Sequence, residues 1–478
     1  MRCVTMKLVT NLFLLGRKQM NNKTPNSTKN GERIVAPVGI YLALVMVVLT
    51  IIYIVDEITS NINSAMQPYI LFDLFHIASR DVNSPEYKSA INVVGPLSLI
   101  SNLFLVISPF YKALSDKYGR RIFLMINTVG MGLGMLIVMT SNSVPQYILG
   151  MLFMLFFTPN DMQVLYIMET APKEKRATYS FVAKGIALMS VSLIGIFTRM
   201  FLRESVVDSW KMVYIIPVII ALVVGITSIF LVKETPVFLE QKASKAALEA
   251  SAVKEDGANI PQSDEVQAGV FHALKFIFRN KQLRWILIAG FLFFATTVYT
   301  SYYATVLEGS MAAEQVATVL FLYPFLNGIT TILSGFFSDK LGRKRVCLIL
   351  GSLALFGLLI FVLACRLSWG PIVAGIAYGC SIGGLWSMSD TLILTMPAES
   401  TPSGMRSSVM GTISVLIGSG MFIGQILFII CQNFLSMDLL FLFICVPFMA
   451  LSLFFLMTKV KETKYVDLDH VTVDTFAD

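Results

Sequence analysis

Charge is scarce in this sequence. Only 14% of its 478 residues are Asp, Glu, Lys or Arg, against about a quarter in a soluble domain. Hydrophobic residues make up 55%, and mean hydropathy is +0.72. A core of ordinary size cannot hide that much apolar surface, so lipid must solvate most of it. Histidine is rare too: His76, His272 and His470 lie far apart, with no nucleophile–base set or metal-ligand spacing around them, which removes the sequence grounds for an enzyme. Of six cysteines (Cys3, Cys347, Cys365, Cys380, Cys431 and Cys445), all but Cys3 fall in apolar runs without metal spacing or a disulfide framework. They read as small hydrophobes. No P-loop is present; Gly130, Gly132 and Gly134 sit in an apolar run with no preceding strand, which argues against nucleotide binding and ATP-driven pumping. No cofactor or metal is expected. The net charge of +7 then reads as loop charge that sets orientation in a membrane, and no nucleic acid is expected as a partner.

What is abundant is apolar runs of spanning length. They recur at roughly 35–66, 90–114, 122–141, 145–168, 178–203, 211–232, 284–307, 313–338, 346–366, 369–396, 408–432 and 436–458. Backbone in hydrocarbon must satisfy its own hydrogen bonds, so continuous runs are helices; a barrel would show alternating segments of about ten residues. The expected fold is an all-α membrane protein of about twelve transmembrane helices. Its organisation reads as an N-terminal tail over 1–33, a six-helix bundle over 34–232, a linker over 233–282, a second six-helix bundle over 283–458 and a C-terminal tail over 459–478.

Basic residues cluster on one set of loops: Lys112, Lys117, Arg120 and Arg121; Lys173, Lys175 and Arg176; Lys340, Arg343, Lys344 and Arg345. The loops Ser141 to Gln146 and Glu308 to Glu314 have none. The basic side is expected to be cytoplasmic, with both termini there, in a plasma or inner membrane. The run Leu8 to Leu15 is too short for a signal peptide, and the sequence leaves the start open between Met1 and Met20. The polar linker ends in Val270 to Arg279, where Val270, Phe271, Leu274, Ile277 and Phe278 share a helical face. That pattern fits a helix lying in the interface or a plain connector.

The two blocks repeat each other. Asp116-Lys-Tyr-Gly119-Arg120-Arg121 matches Asp339-Lys-Leu-Gly342-Arg343-Lys344; Glu169-Thr-Ala-Pro172 through Arg176 matches Glu399-Ser-Thr-Pro402 through Arg406; Lys233-Glu234-Thr235 matches Lys461-Glu462-Thr463. Each pair is about 225 residues apart, a parallel repeat of the kind transporters use. The Asp-x-x-Gly-Arg loops resemble the signature of the major facilitator superfamily. The Glu-x-x-Pro-x-x-x-Arg stretches, Glu234-Thr235-Pro236 and the pair Tyr302-Tyr303 are similar to motifs of its sugar-porter branch. The resemblance covers residues 35 to 465. Lys112 stands where that branch has a leading glycine, its paired glutamines of the seventh helix are missing, and the Gly-Pro-rich fifth-helix motif of proton–drug antiporters is absent.

The motif residues Asp116, Gly119, Arg120, Arg121, Glu169, Arg176, Asp339, Gly342, Arg343, Glu399 and Arg406 form a candidate gate on the basic side. Gly119 permits a tight turn, and Asp116 can accept from the start of the next helix or from an arginine. The resemblance implies ion pairs between the halves when that side is closed, broken on inward opening. Topology alone would keep the basic residues but not the matched acids.

Polar residues within spans carry the substrate argument, because they are costly in lipid and usually face a cavity. Asp56, Glu57, Ser60, Asn61, Asn63, Ser64 and Gln67 fall within about 160° of a helical wheel. They should line a watery path unless the span ends near Val55. Asp161, Lys184, Tyr299, Tyr303 and Asp390 join them as candidates, Asp161 and Asp390 at equivalent places in the two halves. Hydroxyls and rings suit a sugar or polyol; Lys184 and Arg199 would suit a carboxylate or snorkel to the interfaces. A proton carrier needs a carboxylate that burial can tune: Asp56 first, then Glu57 and Asp161. Gly411, Gly418, Gly420 and Gly424 should give the eleventh span a smooth packing face.

The favoured reading is a monomeric secondary active transporter, proton-coupled, importing a sugar or small polar metabolite across the lipid bilayer. The alternatives are an organic-anion transporter or efflux pump, and a solute sensor of the same fold that moves nothing. Long signalling extensions would favour the sensor; the tails here are short.

Overall fold

The structure is a computed structural model. It describes residues 40–464 except 98, 101–103, 105–106, 108–110, 112–113, 116, 173–175, 204–205, 241, 244–263 and 403–405. Among the described residues there is no strand, and eleven helices are long and apolar enough to cross a membrane. In order they are Tyr41–Leu74, Arg120–Met139, Val144–Thr170, Val182–Phe201, Lys211–Leu231, Lys281–Glu308, Ala313–Ser334, Arg343–Arg366, Pro371–Glu399, Ser408–Cys431 and Met437–Lys459. The twelfth expected span, second in chain order, opens with the helix Pro85–Val94 and runs on through residues only some of which are described. Its start follows from local chemistry. Ser84 accepts from the Tyr87 amide at 3.2 Å, and Pro85 fills a first-turn position that needs no N–H donor. The chain is therefore a multi-pass, all-helical membrane protein in two six-helix halves.

Each half packs through its own neighbours: the third span against the sixth, the ninth against the tenth, the seventh against the eleventh. The halves meet where the fifth span lies along the eighth and the first along the seventh. The fifth–eighth seam is close because it has glycine: a Cβ on Gly195 would stand 2.5 Å from the Phe321 amide nitrogen. The smooth face expected on the eleventh span is partly realised. Gly420 and Gly424 press on Phe291 and Ala295 of the seventh, while Gly411 and Gly418 have open space. The outer surface carries large apolar side chains such as Phe230, Val415 and Phe443, as a lipid-facing surface must.

The first span does not end near Val55; its helix continues to Leu74, so the polar wheel belongs to the helix. Other spans are interrupted. The fourth breaks at a 3₁₀ turn, Thr158–Asn160, followed by Asp161 in the left-handed region (φ 44°). The tenth passes into a π turn, Thr391–Thr395, directly after Asp390. The seventh contains the 3₁₀ turn Thr296–Val298. Such interruptions gather at functional sites, and two fall at matched places in the repeat.

The linker helix, Asp264–Arg279, packs against the eleventh span. Its expected apolar face is divided. Ile277 is buried in protein with Ala273 and Phe276, whereas Phe271 and Phe278 are exposed. Asn280 caps the next helix, its side chain accepting from the Leu283 amide at 3.0 Å. The Val270 side chain lies outside the described residues, as do both expected tails beyond 40–464.

Candidate functional site

A cavity of about 370 Å³ lies between the halves. The first span supplies Thr59, Ser60, Asn63, Ser64 and Gln67, the seventh Ser301 and Tyr302, the tenth Trp386. Val94, Met151, Met154 and Leu155 complete an apolar wall. Its polar lining is entirely neutral: hydroxyls, amides, a phenol and an indole. Tyr147 donates to Asn63 at 3.0 Å and Gln425 donates to the Tyr302 hydroxyl at 2.8 Å, so two lining groups are held in place from behind.

One to two helical turns toward the basic loops, the lining becomes charged. Asp56 is buried and accepts from Gln163 at 2.7 Å. Lys184 of the fifth span reaches across the seam to Asp390 of the tenth at 3.1 Å, an ion pair between the halves. Glu57 lies within electrostatic range of Lys184, Asp161 and Asp390. Asp161 is exposed and the Asp390 side chain half-exposed, so water reaches this end of the path. Asp390, Glu57 and Asp161 thus face Lys184, and Asp56 lies beside Glu57 and Asp161. Asp390 also stands one turn below Trp386 on the same helix, and Asp56 one turn before Ser60, so cavity and charge cluster share walls.

On the opposite, far face the halves are sealed. Tyr69 donates to Glu308 at 2.5 Å, and Tyr87 and Thr305 share a hydroxyl contact of 3.0 Å. Gln432 donates to Asn92 at 2.7 Å and Asn92 donates to Asn433 at 3.0 Å. Arg199 pairs with Glu314 at 2.9 Å, both largely exposed. Removing the Tyr69 hydroxyl strips a charged acceptor of a donor, an interaction of about 1.5–3 kcal/mol. Tyr69→Phe is therefore expected to raise far-side maleimide labelling of a Ser64→Cys reporter about tenfold. Unchanged labelling would remove this contact from the seal.

On the basic face the matched motifs close two rings, one in each half. Arg120 pairs with Glu169 at 3.1 Å and donates to Ser115 at 3.0 Å; Thr235 donates to Glu169 at 2.6 Å. Arg343 pairs with Glu399 at 3.0 Å and donates to Ser338 at 3.1 Å; Thr463 donates to Glu399 at 2.6 Å. Glu234 accepts the backbone amides of Arg120 (2.9 Å) and Arg121 (3.3 Å) at the start of the third span. Glu462 does the same for Arg343 (2.7 Å) and Lys344 (3.2 Å) at the ninth. A carboxylate at a helix N-terminus satisfies orphan donors and the dipole together. Gly119 and Gly342 turn at φ 115° and 97°, and a Cβ on either would strike that same glutamate at about 2.5 Å. The Arg121 side chain donates to the Ile229 carbonyl.

The expected gate pairs, which would join the halves when the basic side is closed, are not these rings. The pairs of Arg120 with Glu169 and of Arg343 with Glu399 run within a half, because each acid ends the span that neighbours its arginine. Glu234 caps the helix that follows Gly119. Asp116 itself, and the side chains of Arg176, Asp339 and Arg406, lie outside the described residues. Two further corrections concern the cavity. Tyr299 and Tyr303 point into the second half, against Ser381 (2.8 Å) and Tyr323 (3.3 Å), and Tyr302 lines the cavity instead. Asn61 donates to the Glu57 carbonyl at 2.8 Å and is not among the lining residues. The structure brings Asp56, Glu57, Asp161, Lys184 and Asp390 together and sets Asn63 on the cavity wall. Trp386 was not singled out by sequence as a site residue, and the pairing of Gln163 with Asp56 was not foreseen. The single tryptophan one turn from an intramembrane aspartate was the available signal.

The profile of the Major Facilitator Superfamily matches residues 42–425 and 310–468. The chain is 23% identical over 354 residues to the glucose transporter GlcP of Staphylococcus epidermidis, covering 69% of this chain and 76% of that one. Among solved structures, a D-xylose–proton symporter superposes with a TM-score of 0.66 at 15% identity, covering 89% of this chain and 99% of the other. The inward-open xylose transporter XylE from E. coli superposes with a TM-score of 0.65 at 16% identity, covering 90% and 99%. At these identities the structural likeness is one of fold.

Proposed function

The chain belongs to the Major Facilitator Superfamily, and from that premise we propose that it is a proton-coupled importer of a sugar or similar neutral polyol. The observation that carries this reading is the cavity between the halves. Its polar lining is uncharged and combines hydroxyls and amides with the Trp386 ring, which suits a solute with many hydroxyls and an apolar ring face. The names of the relatives, a glucose transporter and a xylose–proton symporter, point the same way. The two cations expected to hold an organic anion are engaged elsewhere, Lys184 by Asp390 and Arg199 by Glu314.

Proton coupling is supported by the charge cluster. Ionised Asp56 would be a buried charge beside Glu57 and Asp161 with no cation paired to it among the described contacts, which is costly unless a proton joins it. With the basic face cytoplasmic, the far-face seal and the exposed Asp161 and Asp390 support reading this conformation as inward-facing. Transport then alternates it with one in which the far seal opens.

The test is proton movement in proteoliposomes, followed by a pH-sensitive dye while sugars and organic acids are added singly. Alkalinisation of the sugar side is expected with a sugar. Solute equilibration without a proton signal would leave a uniporter. Trp386→Ala removes a ring whose burial is worth about 1.5–3 kcal/mol. The half-saturating sugar concentration should rise about 10- to 100-fold, and an unchanged value would take Trp386 out of the sugar's path.

A further inference from the structure

A groove of about 500 Å³ lies on the second half, apart from the solute cavity. Its floor is the seventh span, with Leu287, Ile288, Phe291 and Leu292; Leu416 of the eleventh span forms one wall, and Leu451 and Phe455 of the twelfth form the other. Its one polar side chain, Ser419, is already engaged, donating to the Leu416 carbonyl at 2.6 Å. Toward the basic face the groove ends between two cations. Arg284 precedes Leu287, Ile288 and Phe291 by three, four and seven positions, which sets it on their side of the seventh span. Lys459 follows Phe455 and Leu451 by four and eight positions on the twelfth. These two spans run antiparallel. Ser452 donates to the Ala289 carbonyl at 2.7 Å, and the Phe455 ring lies 5.2 Å from that of Trp285, so Arg284 and Lys459 stand at one level. Nζ of Lys459 lies 5.8 Å from the Trp285 ring centre. Both cations are exposed, and among the described residues neither enters an ion pair.

We propose that this groove binds one anionic phospholipid from the leaflet on the basic face, with an acyl chain along the groove and the phosphate between Arg284 and Lys459. An apolar trough that ends in two unneutralised cations suits a molecule that is apolar along its length and negative at one end. A zwitterionic lipid brings its own ammonium to the same cations and gains less. Trp285 belongs at the same depth, since indole rings favour the boundary of hydrocarbon and headgroups. The linker helix packs against the seventh and eleventh spans, and its exposed Phe271 and Phe278 suit that boundary as well. The lipid would bridge the seventh, eleventh and twelfth spans. All three belong to one half, so it can stay bound while the halves move. The site stands whatever solute the protein carries.

Native mass spectrometry of the full chain in detergent tests this, with phosphatidylglycerol and phosphatidylcholine of matched acyl chains added in equal amounts. Retention of one phosphatidylglycerol is expected to exceed that of phosphatidylcholine about 25-fold, about fivefold for each cation. Arg284→Gln and Lys459→Gln should each lower this preference about fivefold, and together abolish it. Lys117→Gln, which removes an exposed cation from the first half, should leave it unchanged. Ile288→Trp, which fills the groove, should weaken retention of both lipids. Equal retention of the two lipids by the wild type, a preference that survives the double variant, or an equal loss in Lys117→Gln would each overturn the proposal. So would a wild type that runs as a lipid-free dimer, which would give the groove to a second copy of the chain. The wild-type competition decides even where a variant fails to fold.

Discussion

Vesicles carrying Asp56→Asn are expected to lose uphill accumulation altogether while still exchanging internal for external sugar. One charge crossing a potential of 100 mV is worth about 2.3 kcal/mol, which supports a solute gradient of about 50-fold at one proton per sugar. Asparagine keeps the size of the group and an acceptor for Gln163 but cannot carry a proton between the two faces. The accumulation ratio should therefore fall from tens to about one, with counterflow retained because exchange needs the neutral form only. Residual accumulation above about tenfold would move the coupling site to Glu57 or Asp161. Both face the same cluster, Glu57 from the adjacent helical position and Asp161 from the fourth span.

The second large effect is on stability. Arg120→Met leaves Glu169 with Thr235 as its remaining named partner in a site where the arginine side chain is 5% exposed and the glutamate 10%. Breaking one partner of a buried pair costs about 3–5 kcal/mol, mostly for the charge left behind. Arg343→Met should cost less, because Arg343 and Glu399 are 18% and 17% exposed and water screens what remains. Replacing both members, as Arg120→Met with Glu169→Leu, should recover much of the loss. Thermal unfolding in detergent, read as the drop in midpoint, checks the order: Arg120→Met largest, then Arg343→Met, with the double variant near the wild type. Equal drops at the two rings would mean burial does not set the cost.

The eleven spans found among the described residues and the doubling of the motifs were legible in the sequence because both are local signals, hydropathy over a window and short strings at a fixed offset. What those strings bind was not. Glu234 caps a helix 114 residues earlier, and no local pattern distinguishes that role from a plain polar linker. The cavity wall shows a second limit. Tyr299, Tyr302 and Tyr303 share the helix Tyr299–Glu308, and a helical pattern relates residues to one another without saying which face meets the cavity. Trp386 escaped notice because an aromatic ring in an apolar run has the appearance of ordinary packing. The pairing of Gln163 with Asp56 was not legible, because an amide reveals its partner only through the carboxyl opposite it.

The distribution of contact strengths between the two faces bears on speed. The rings of Arg120 and Arg343, with the most charge and much of it buried, lie inside single halves, and rigid rotation of one half against the other leaves them intact. The far face is held by neutral hydrogen bonds of about 0.5–1.5 kcal/mol each, one bond to a glutamate, and an exposed ion pair worth about 1 kcal/mol or less. Water can replace these partners as they separate, so opening proceeds bond by bond without uncovering a bare charge. A transporter built this way has a low activation enthalpy for turning over, and its turnover should rise gently with temperature where its unfolding rises steeply.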